Sequence, residues 1–487
     1  MTQHTDILIP HKTCWRIAPA GRFAFIDDGA AYFAAARQAM LQARHSILLI
    51  GWDFDANITL DRTPDGAEDE GPARLGDFII WLADRTPGLQ IRLLRWDTGA
   101  IKSMLRPSEL ATVIRWKMHP RITLRLDGAH PPAASHHQKI VAIDDALAFA
   151  GGIDMTMQRW DTPEHLDDDP RRTTPRGRPL PPWHDATSAF DGPAARAIGD
   201  LARARWLAAT DEALPPCPAP HDCWPKDLAP TFTDVSLGIA RTLPKMDGLD
   251  PVHEIEAAWL AMIASAKRMI YAESQYFASR KIAHAIALRL TEDDPPEIVI
   301  VTPHSADGWL EPIAMDTARA KLIEALARVD HKKRLRLYHP VTAAEAPIYV
   351  HAKVTVVDDD LLRVGSSNFN NRSMRLDTEC DVILSHPRAA DLRATLLAEH
   401  LGTTPEVVTS KLAETGSLIA TVEALRGPGR SLVPYVLPEL SSLAEWLAEN
   451  EILDPNGPDE IFESLSKRGL YKGWQHLLRG RFRRAPR

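Results

Sequence analysis

One eight-residue stretch occurs twice in the chain, as HQKIVAID at 137–144 and as HAKVTVVD at 351–358. Both copies carry histidine, lysine and aspartate at the same spacing, and in both the lysine is followed by four mostly apolar residues. Short apolar runs of this kind are typical of buried strands. In a strand, residues i and i+2 project from the same face, so each copy presents an imidazole beside an ammonium group. The repeat therefore predicts two equivalent strands, each with a histidine–lysine pair.

The similarity between the two parts of the chain extends beyond this motif. Upstream, AMLQARHSILLIGWDF (39–54) resembles AMIASAKRMIYAESQYF (261–277), and downstream GGID (151–154) corresponds to GSSN (365–368). Strands that alternate with helix-length segments are typical of α/β proteins with a covered sheet. We therefore predict an α/β fold of two similar α/β/α sandwich halves, related by a pseudo-twofold duplication, with a C-terminal helical extension.

The predicted domain boundaries follow the strand signals and the turn-forming residues between them. The N-terminal half spans 1–210 and carries the first motif. Residues 211–250, which include PPCPAPHDCWP, are interpreted as a linker because proline and polar residues interrupt any regular pattern. The C-terminal half spans 251–402 and carries the second motif. Residues 403–487 are predicted to form the helical extension, which ends in a basic tail.

Composition restricts the class of function. The chain has 487 residues, of which 45% are hydrophobic and 25% charged, and its formal net charge is -8. Such a composition is typical of soluble globular proteins, and the negative charge argues against nucleic acid as the partner. No apolar run is long enough to span a membrane, and the first residues lack the apolar core of a signal peptide. We expect a cytoplasmic or peripheral membrane location; secretion without a classical signal stays open.

Two histidines and two lysines that meet at a pseudo-twofold interface can act on a tetrahedral anion, and a phosphodiester fits best. One of His137 and His351 can attack phosphorus to give a phosphohistidine while the other, protonated, donates to the leaving alkoxide. The roles then reverse, with water or another alcohol as the acceptor. On geometry alone either histidine could be the nucleophile. Lys139, Lys353 and the amide of Asn368 would hold the equatorial oxygens, so neither a metal ion nor another cofactor is expected.

The third residue of each motif completes the pattern but is interpreted as structural. Four residues separate Asp144 from its lysine, and the same number separates Asp358 from its own. If these four residues form a buried strand, each aspartate lies at the far end of that strand from the histidine. We therefore expect both aspartates to cap the turn that follows, rather than to carry protons.

These residues resemble the phospholipase D superfamily. Its signature HxK(x)4D(x)6GSxN is met in full by HAKVTVVDDDLLRVGSSN (351–368), and the first copy (137–154) ends in the variant Gly-Gly-x-Asp. That variant, with RWDTPEH (159–165) and PWHD (182–185), resembles bacterial relatives of the eukaryotic-type enzymes that hydrolyse phosphatidylcholine. The resemblance covers residues 20–402, to within a few residues.

The resemblance implies roles for individual residues. His137 would be the nucleophile and His351 the general acid and base, with Glu379 orienting His351 and Asp185 orienting His137. Asp154, which is anionic, is expected to support the site through hydrogen bonds. Aromatic residues beside the motifs could line an acyl or choline pocket, although ordinary core packing is the favoured interpretation for any one of them. The residues assigned to substrate binding are Gly151, Gly152, Asp154, Gly365, Ser366, Trp160 and Tyr276.

The predicted function is that of a phospholipase D-type phosphodiesterase. It would hydrolyse a glycerophospholipid, with phosphatidylcholine favoured, to phosphatidic acid and the free headgroup, and it could also transfer the phosphatidyl group to an alcohol. The alternatives are a phosphatidyltransferase of the cardiolipin-synthase type and, less favoured, a nuclease of the same superfamily. The expected partners are a phospholipid at a membrane surface and water or a primary alcohol, with no nucleic acid. Because both motifs lie in one chain, we expect a monomer.

Overall fold

The computed structural model describes residues 5–62, 71–97, 107–132, 134–246, 248–305 and 316–436. The predicted basic tail, in 437–487, lies outside the described residues. Among the residues that are described, no helix combines the length and the hydropathy needed to cross a bilayer.

The first half alternates strands with helices, as its sequence pattern predicts. Its strands are β1 (Arg16–Asp27), β2 (Ser46–Gly51), β3 (Gln90–Trp96), β4 (Ile122–Asp127), β5 (Ile140–Ile143), β6 (Leu147–Gly151), β7 (Trp183–His184) and β8 (Ala186–Asp191). Its helices are α1 (Asp28–Leu41), α2 (Leu75–Arg85), α3 (Pro107–Met118) and α4 (Gly192–Thr210). The four residues after Lys139 form β5, and all four are buried.

The second half repeats this order. Its strands are β9 (Phe232–Leu243), β10 (Val252–His253), β11 (Met269–Glu273), β12 (Glu297–Val301), β13 (Leu335–Val341), β14 (Tyr349–Val350), β15 (Val354–Val357), β16 (Leu361–Gly365) and β17 (Glu379–Ser385). Its helices are α5 (Glu254–Ser265), α6 (Arg280–Leu290), α7 (Thr317–Ala327) and α8 (Ala389–His400). The four residues after Lys353 form β15, which is as fully buried as β5.

The described part of the predicted helical extension begins with two helices, α9 (Pro405–Thr415) and α10 (Leu418–Leu425). A short strand, β18 (Ser431–Pro434), follows them and pairs antiparallel with β13. This segment therefore continues the sheet of the second half as well as covering it.

One continuous sheet runs through both halves, in the order β18-β13-β12-β11-β15-β16-β17-β9-β1-β8-β6-β5-β2-β3-β4. The two sides of the sheet have the same strand order from the centre outward. On the side of the first half the order is β8, β6, β5, β2, β3 and β4, and on the side of the second half the equivalent strands are β17, β16, β15, β11, β12 and β13. Within each side the three outer strands of the repeat pair in parallel, and the remaining strands pair antiparallel. The predicted α/β duplication is confirmed.

The centre of the sheet lies in β1 and β9, which pair antiparallel from Arg16 opposite Ile239 to Phe23 opposite Phe232. β9 also pairs with β17 on its other edge. This strand falls within 211–250, the segment interpreted as a linker, so that segment contains a central element of the fold. Residues 211–231, in contrast, hold no strand or helix.

Three hydrophobic clusters fill the two faces of the sheet. On one face, a single cluster includes α4 and α8 and draws side chains from both halves, such as Phe190 and Val382. On the other face, one cluster packs α1 and α2 of the first half, and a separate one packs α5 and α6 of the second. Because one core is shared, burial of apolar surface holds the two halves together as well as each half by itself.

Candidate active site

The two motif histidines are held at the junction between the halves. His137 and Lys139 lie just before β5, which begins at Ile140, rather than within the strand as predicted. The backbone N–H of His137 donates to the carbonyl of Thr378 in the other half at 3.0 Å. His351 precedes β15, and its backbone N–H donates to the carbonyl of His184, also across the junction, at 2.8 Å. Each motif is therefore anchored to the segment that leads into an acidic residue of the other half, namely Glu379 or Asp185.

The carboxylate partners of the two histidines are crossed relative to the sequence prediction. His137 Nδ1 lies 2.9 Å and 3.0 Å from the two carboxylate oxygens of Glu379. His351 Nδ1 lies 2.7 Å from Asp185 Oδ2. The prediction that Glu379 orients His351 and Asp185 orients His137 is wrong, because each carboxylate reaches over the junction rather than along its own half. An Nδ1–H bonded to a carboxylate leaves the lone pair of Nε2 available on each ring.

Glu379 is buried and firmly positioned. Ser373 Oγ donates to its Oε1 at 2.7 Å, and Ser366 Oγ donates to its Oε2. Burial raises the pKa of Glu379 to about 8, opposed by these two hydroxyl groups. Burial also lowers the pKa of His137 well below its ordinary value, and the charges of Lys139 and Lys353 lower it further. The pair therefore favours the state in which one proton is shared between the imidazole and the carboxyl group, rather than an imidazolium beside a carboxylate.

Asp185 and His351 form a second pair in a similar environment. Burial raises the pKa of Asp185, opposed chiefly by the charge of Lys353. Burial lowers the pKa of His351 well below its ordinary value, followed in order by the charges of Lys353 and Arg159. A bound anion would offset these cations and favour a proton on one of the two imidazoles.

The two lysines are buried but have different partners. Lys139 Nζ lies 3.1 Å from Asp154 Oδ2, and Asp154 also accepts from the backbone N–H of Trp52 at 3.0 Å. Each ammonium group also donates to the carbonyl of its own motif histidine, Lys139 to His137 at 3.1 Å and Lys353 to His351. The further hydrogen-bond partner of Lys353 is neutral, Gln275 Oε1 at 3.4 Å. Burial lowers the pKa of Lys353 to about 7, although the charge of Asp185 opposes this shift. Asp154 thus takes the supporting position expected from its charge.

The amide of Asn368 lies beside Lys353 and Gln275. Its Nδ2 is 3.5 Å from Gln275 Oε1, the oxygen that also accepts from Lys353. Its Oδ1 is buried and has no hydrogen-bond partner among the described residues. A buried amide with an unsatisfied oxygen is costly unless a ligand or water completes it. Asn368 is therefore a candidate ligand contact, as its place in the motif predicts.

The motif glycines allow close approach to the acidic residues. A Cβ atom on Gly152 would lie 2.5 Å from Asp185 Oδ1, and one on Gly151 would lie 2.4 Å from the Cα of Thr187. A Cβ on Gly365 would lie 2.0 Å from Asp381 Oδ1. These distances leave no room for a side chain. The structure therefore gives all three glycines a packing role, and Gly152 in addition borders a histidine partner.

Asp144 and Asp358 have a structural role, but the N–H groups that they bind lead into a neighbouring strand, whereas the prediction placed these bonds in the turn after the motif strand. The carboxylate of Asp144 accepts backbone N–H groups from Arg44, His45 and Ser46 at 2.6 to 2.9 Å. The carboxylate of Asp358 accepts three equivalent N–H groups, from residues 267, 268 and 269, at 2.8 to 3.0 Å. Each aspartate thus fixes the start of the neighbouring strand, at the end of the motif strand remote from the histidine.

The two aromatic residues assigned to substrate binding occupy different environments. Trp160 is 3% exposed and packs in the core of the first half. Tyr276 is partly buried, and its hydroxyl accepts from Gln275 Nε2 at 3.1 Å. The same Nε2 donates at 2.9 Å to Tyr349, whose ring stacks on Trp183 with centroids 4.4 Å apart. Tyr276 therefore joins an aromatic group beside the motif, whereas Trp160 supports the core.

Sequence reasoning missed three residues that this geometry brings to the site. Gln275 bonds Lys353 and Asn368, Ser373 bonds Glu379, and the guanidinium of Arg159 lies 4.0 Å from the ring centroid of Trp183. Trp183 in turn lies 5.4 Å from the ring of His351. Gln275 and Arg159 lie in segments that resemble the family, but nothing in a single sequence separates them from their neighbours.

A second buried polar cluster lies behind Asp185. Ligand atoms of Asp28, His165, His184 and Glu399 all lie within 4.8 Å of one another and could hold a metal ion. Acidic partners flank both imidazoles of the cluster. His165 lies between Asp161 and Glu399, at 2.9 Å from each. His184 lies 2.8 Å from Glu399 and from Glu273.

The acidic residues of this cluster favour the charged form of both imidazoles. They raise the pKa of His165 to about 9 and that of His184 well above its ordinary value, although burial opposes both shifts. Glu399 and Glu273 belong to the second half and the histidines to the first. The cluster is therefore a buried ion-pair network across the junction, next to the carboxylate that orients His351.

Comparison with known proteins agrees with the duplication. A family model described as "Phospholipase D" matches residues 39–218, and one described as "Cardiolipin synthase, PLD-like domain" matches residues 259–400. The first range contains His137 and Asp185, and the second contains His351 and Glu379. The chain belongs to the phospholipase D superfamily, with one such domain in each half.

Curated relatives and a solved structure are consistent with this assignment. "Phospholipase D A" of Dictyostelium discoideum is 25% identical over 462 residues, which cover 77% of this chain and 35% of the relative. "Phospholipase D alpha 1" of Nicotiana tabacum is 24% identical over 473 residues, which cover 69% of this chain and 58% of the relative. The chain thus spans less than two thirds of the length of either relative.

The solved structure is that of phosphatidylserine synthase from Haemophilus influenzae Rd KW20. It superposes with a TM-score of 0.54 at 12% identity, over 83% of this chain and 95% of that chain. At this identity the likeness shows a shared fold.

Proposed function

We propose that this protein is a phosphodiesterase of the phospholipase D type, which hydrolyses a glycerophospholipid to phosphatidic acid and the free headgroup. The observation that carries the proposal is the crossed arrangement of two histidine–carboxylate pairs between two buried lysines. Both rings direct Nδ1 to a carboxylate, which leaves two Nε2 atoms for one substrate. The names of the curated relatives support the same class of reaction.

In the proposed first step, His137 Nε2 attacks phosphorus and the bond to the headgroup oxygen breaks. His351, protonated on Nε2, gives its proton to that oxygen, so the headgroup leaves as a neutral alcohol function. Glu379 stabilises the charge that develops on His137. Lys139, Lys353 and the Asn368 amide would bind the oxygens on which negative charge accumulates.

In the second step, His351 is neutral and accepts a proton from water. The water oxygen displaces His137 from phosphorus, which releases phosphatidic acid and restores both histidines to their starting states. A primary alcohol in place of water would give a phosphatidyl alcohol by the same sequence. The assignment of His137 as the nucleophile is part of the proposal, since the two histidine sites are nearly equivalent.

The substrate proposed is a phospholipid at a membrane surface, with phosphatidylcholine favoured. Tyr276 and Tyr349 are linked through Gln275, close to Lys353, so aromatic surface borders the position where the phosphate would bind. Aromatic rings suit the apolar and cationic parts of such a headgroup. We propose that one chain acts as a monomer, because it contains both histidine pairs.

The test is headgroup release from phosphatidylcholine vesicles, with and without a primary alcohol. Wild type should release choline and, with the alcohol present, form a phosphatidyl alcohol. His137→Ala and His351→Ala should each lose activity by at least about 10²-fold. Rapid acid quenching should trap a phosphorylated protein in the wild type but not in His137→Ala.

Two outcomes would contradict this proposal. If the phosphorylated species persisted in His137→Ala and vanished in His351→Ala, the roles of the two histidines would be reversed. If no glycerophospholipid were cleaved while a nucleic acid was, the substrate class would be wrong. His284→Ala serves as the matched control, because its ring is exposed on α6 and belongs to neither pair.

A further inference from the structure

A cavity of about 400 Å³ lies in the first half and is lined by three arginines. Arg62, Arg74 and Arg171 border it together with polar groups of Asn57 and Thr173, and none of the lining residues that the structure describes carries a carboxylate. Neither motif histidine nor motif lysine belongs to the lining. The cavity is therefore distinct from the proposed active site.

Two of the arginines share one aromatic ring. The guanidinium carbon of Arg62 lies 4.6 Å from the ring centroid of Trp160, and that of Arg171 lies 5.3 Å from it. Contact with the indole holds both cations at one wall of the cavity. Trp160 belongs to the buried core of the first half. Both guanidinium groups therefore rest on a ring whose position is fixed.

Among the described residues, Asp169 is the carboxylate whose charge acts on both Arg62 and Arg171, so one negative charge faces two positive charges at this wall. Arg171 forms a two-point ion pair with Asp169, with distances of 3.0 and 2.7 Å. Arg62 donates to the carbonyl of Arg171, and its Nε is buried without a hydrogen-bond partner among the described residues. Leaving a buried charged donor unsatisfied is costly, and two nearby cations repel each other. An anion in the cavity would remove both costs.

The backbone around the cavity is rigidly built. Residues 58–60 pair with 73–75 through hydrogen bonds from Leu60 to Ala73 and from Leu75 to Ile58, which places Arg74 opposite Thr59. A tight turn bonds Thr174 to Arg178 on the other rim. The arginine positions thus depend on paired backbone rather than on a single flexible loop.

We propose that this cavity is a binding site for a phosphomonoester anion. Arginine pairs suit the several oxygens of such a group, and the threonine and asparagine side chains offer further donors. The anion is either the headgroup of an acidic phospholipid or free phosphate. The 3₁₀ turn Met157–Arg159 links the cavity to the proposed active site, since Met157 lines the cavity and Arg159 stacks on Trp183. The inference does not depend on the proposed reaction.

The experiment compares wild type with Arg62→Gln, Arg74→Gln and the control Arg178→Gln. Arg178 is exposed, lies in the same segment as Arg171 and does not line the cavity. Inorganic phosphate is titrated by calorimetry and by thermal unfolding, since an anion that binds the folded state raises Tm. Loss of one charged donor should weaken phosphate binding at this site at least about tenfold in both cavity variants and leave Arg178→Gln like wild type.

A vesicle arm identifies the source of the anion. Phosphatidylcholine vesicles with and without phosphatidate are sedimented with each variant. Recruitment by phosphatidate that is lost in Arg62→Gln and Arg74→Gln assigns a lipid headgroup; a response to inorganic phosphate alone assigns the free anion. Arg74→Gln guards against misfolding, because Arg74 is exposed at the rim.

The inference is overturned if phosphate and phosphatidate act equally on wild type, both cavity variants and the control. In that case the binding would belong to the motif lysines, which face a different site. Turnover of a short-chain soluble phospholipid is measured alongside. Absence of turnover in every variant would reject the proposed function, whereas a selective loss of anion binding in the cavity variants would still support this site.

Discussion

At the scale of single residues, each motif histidine depends on a carboxylate of the other half. We predict that Glu379→Gln and Asp185→Asn each lower kcat/KM by about 10²- to 10⁴-fold, because an amide keeps the shape of the side chain but cannot stabilise an imidazolium. Nitrogen-15 spectra of the histidine rings provide the specific readout. Glu379→Gln should shift the resonances of His137, and Asp185→Asn those of His351.

Each variant also serves as the control for the other, because each should shift the resonances of one histidine ring and leave those of the other ring unchanged. If Glu379→Gln shifted the His351 ring while His137 kept its wild-type resonances, the pairing described above would be incorrect. Ser373→Ala removes a hydroxyl that donates to Glu379 at 2.7 Å, and it should change the same His137 resonances to a smaller extent.

Lys353 makes a pH-dependent contribution to stability. Burial lowers its pKa from 10.5 to about 7, so between these values the unfolded chain binds more protons than the folded protein. The free energy of unfolding therefore rises with pH across this window, and the cost of burying a charged lysine is fully present below pH 7. We predict that Lys353→Met raises the free energy of unfolding on the order of a few kcal/mol at pH 6, and by much less near pH 10.

Urea unfolding of wild type and Lys353→Met at both ends of this pH range measures the difference. Other titrating groups are common to the two proteins, so their contributions largely cancel. An equal difference at both pH values would mean that Lys353 is charged in the folded protein throughout, and that Gln275 and the backbone carbonyl compensate it fully.

At this scale the sequence identified the reactive residue types but not their partners. The repeated motif predicted His137, Lys139, His351 and Lys353, but each pair precedes the strand that it was expected to lie in, since the strands begin at residues 140 and 354. The pairing with Glu379 and Asp185 depends on which half the carboxylate reaches, and that is decided by the backbone bonds of His137 to Thr378 and of His351 to His184. No local pattern encodes such a contact between distant segments.

At the scale of elements, the motif aspartates join strands rather than take part in chemistry. Asp144 and Asp358 each accept three backbone N–H groups at the start of a neighbouring strand. We predict that Asp144→Ala or Asp358→Ala lowers the free energy of unfolding by about 2–5 kcal/mol, since several donors lose a charged acceptor. Activity per folded molecule should stay within a few fold of wild type.

Chemical denaturation and turnover on the same samples separate the two effects. Asp391→Ala is the matched control, because Asp391 is 59% exposed and forms a surface ion pair with Arg388, whose loss should cost under about 1 kcal/mol. If Asp358→Ala folded but was inactive, this aspartate would have a direct role in the reaction, and the structural interpretation would be wrong.

The end of β6 is packed too closely for any side chain. A Cβ atom on Gly152 would lie 2.5 Å from Asp185 Oδ1 and 3.2 Å from the carbonyl of Ala186. Gly152→Ala should therefore displace the carboxylate from His351 and lower kcat by about 100-fold, since a shift of about 1 Å is enough for such a loss. Gly427→Ala, where no atom lies within 4 Å, should behave as wild type.

The readout is kcat with the His351 ring resonances measured in parallel. A Gly152→Ala protein with normal kcat would show that Asp185 can relax without losing its contact. A protein with low kcat but unchanged His351 resonances would place the damage elsewhere, for instance at the methylene groups of Lys353, 3.4 Å from the added carbon.

Short apolar runs were predicted to be strands, whereas β9 was not. IVAI and VTVV are short, apolar and β-branched, and both form fully buried strands. β9 reads FTDVSLGIARTL, and its apolar residues alternate at Val235, Leu237 and Ile239 as in a half-buried strand. The proline-rich stretch before it led to the interpretation of the whole segment as a linker. The strand conformation of β9 is stabilised by pairing with β1 on one edge and β17 on the other, which is information that lies outside its own sequence.

At the scale of the whole molecule, the duplication produces one sheet and one shared core. β1 and β9 pair at the centre, and the cluster that includes α4 and α8 buries side chains of both halves. The crossed carboxylates and the ion pairs of His184 with Glu273 and Glu399 add polar contacts across the same junction. The site is therefore assembled by the association of the halves, because each motif histidine and its carboxylate come from different halves.

This architecture predicts that the covalent connection between the halves is dispensable once the protein has folded. A protease site inserted between Pro215 and Pro216, in an exposed segment, would be cut to leave β1 in one fragment and β9 in the other. The ladder between these strands and the shared core should hold the fragments together, so the cut protein should elute as one species and keep its activity. The same site inserted between Ser236 and Leu237 interrupts β9 and should prevent folding. Separation of the fragments cut after Pro215 under native conditions would mean that the junction is weaker than its paired strands and buried core imply.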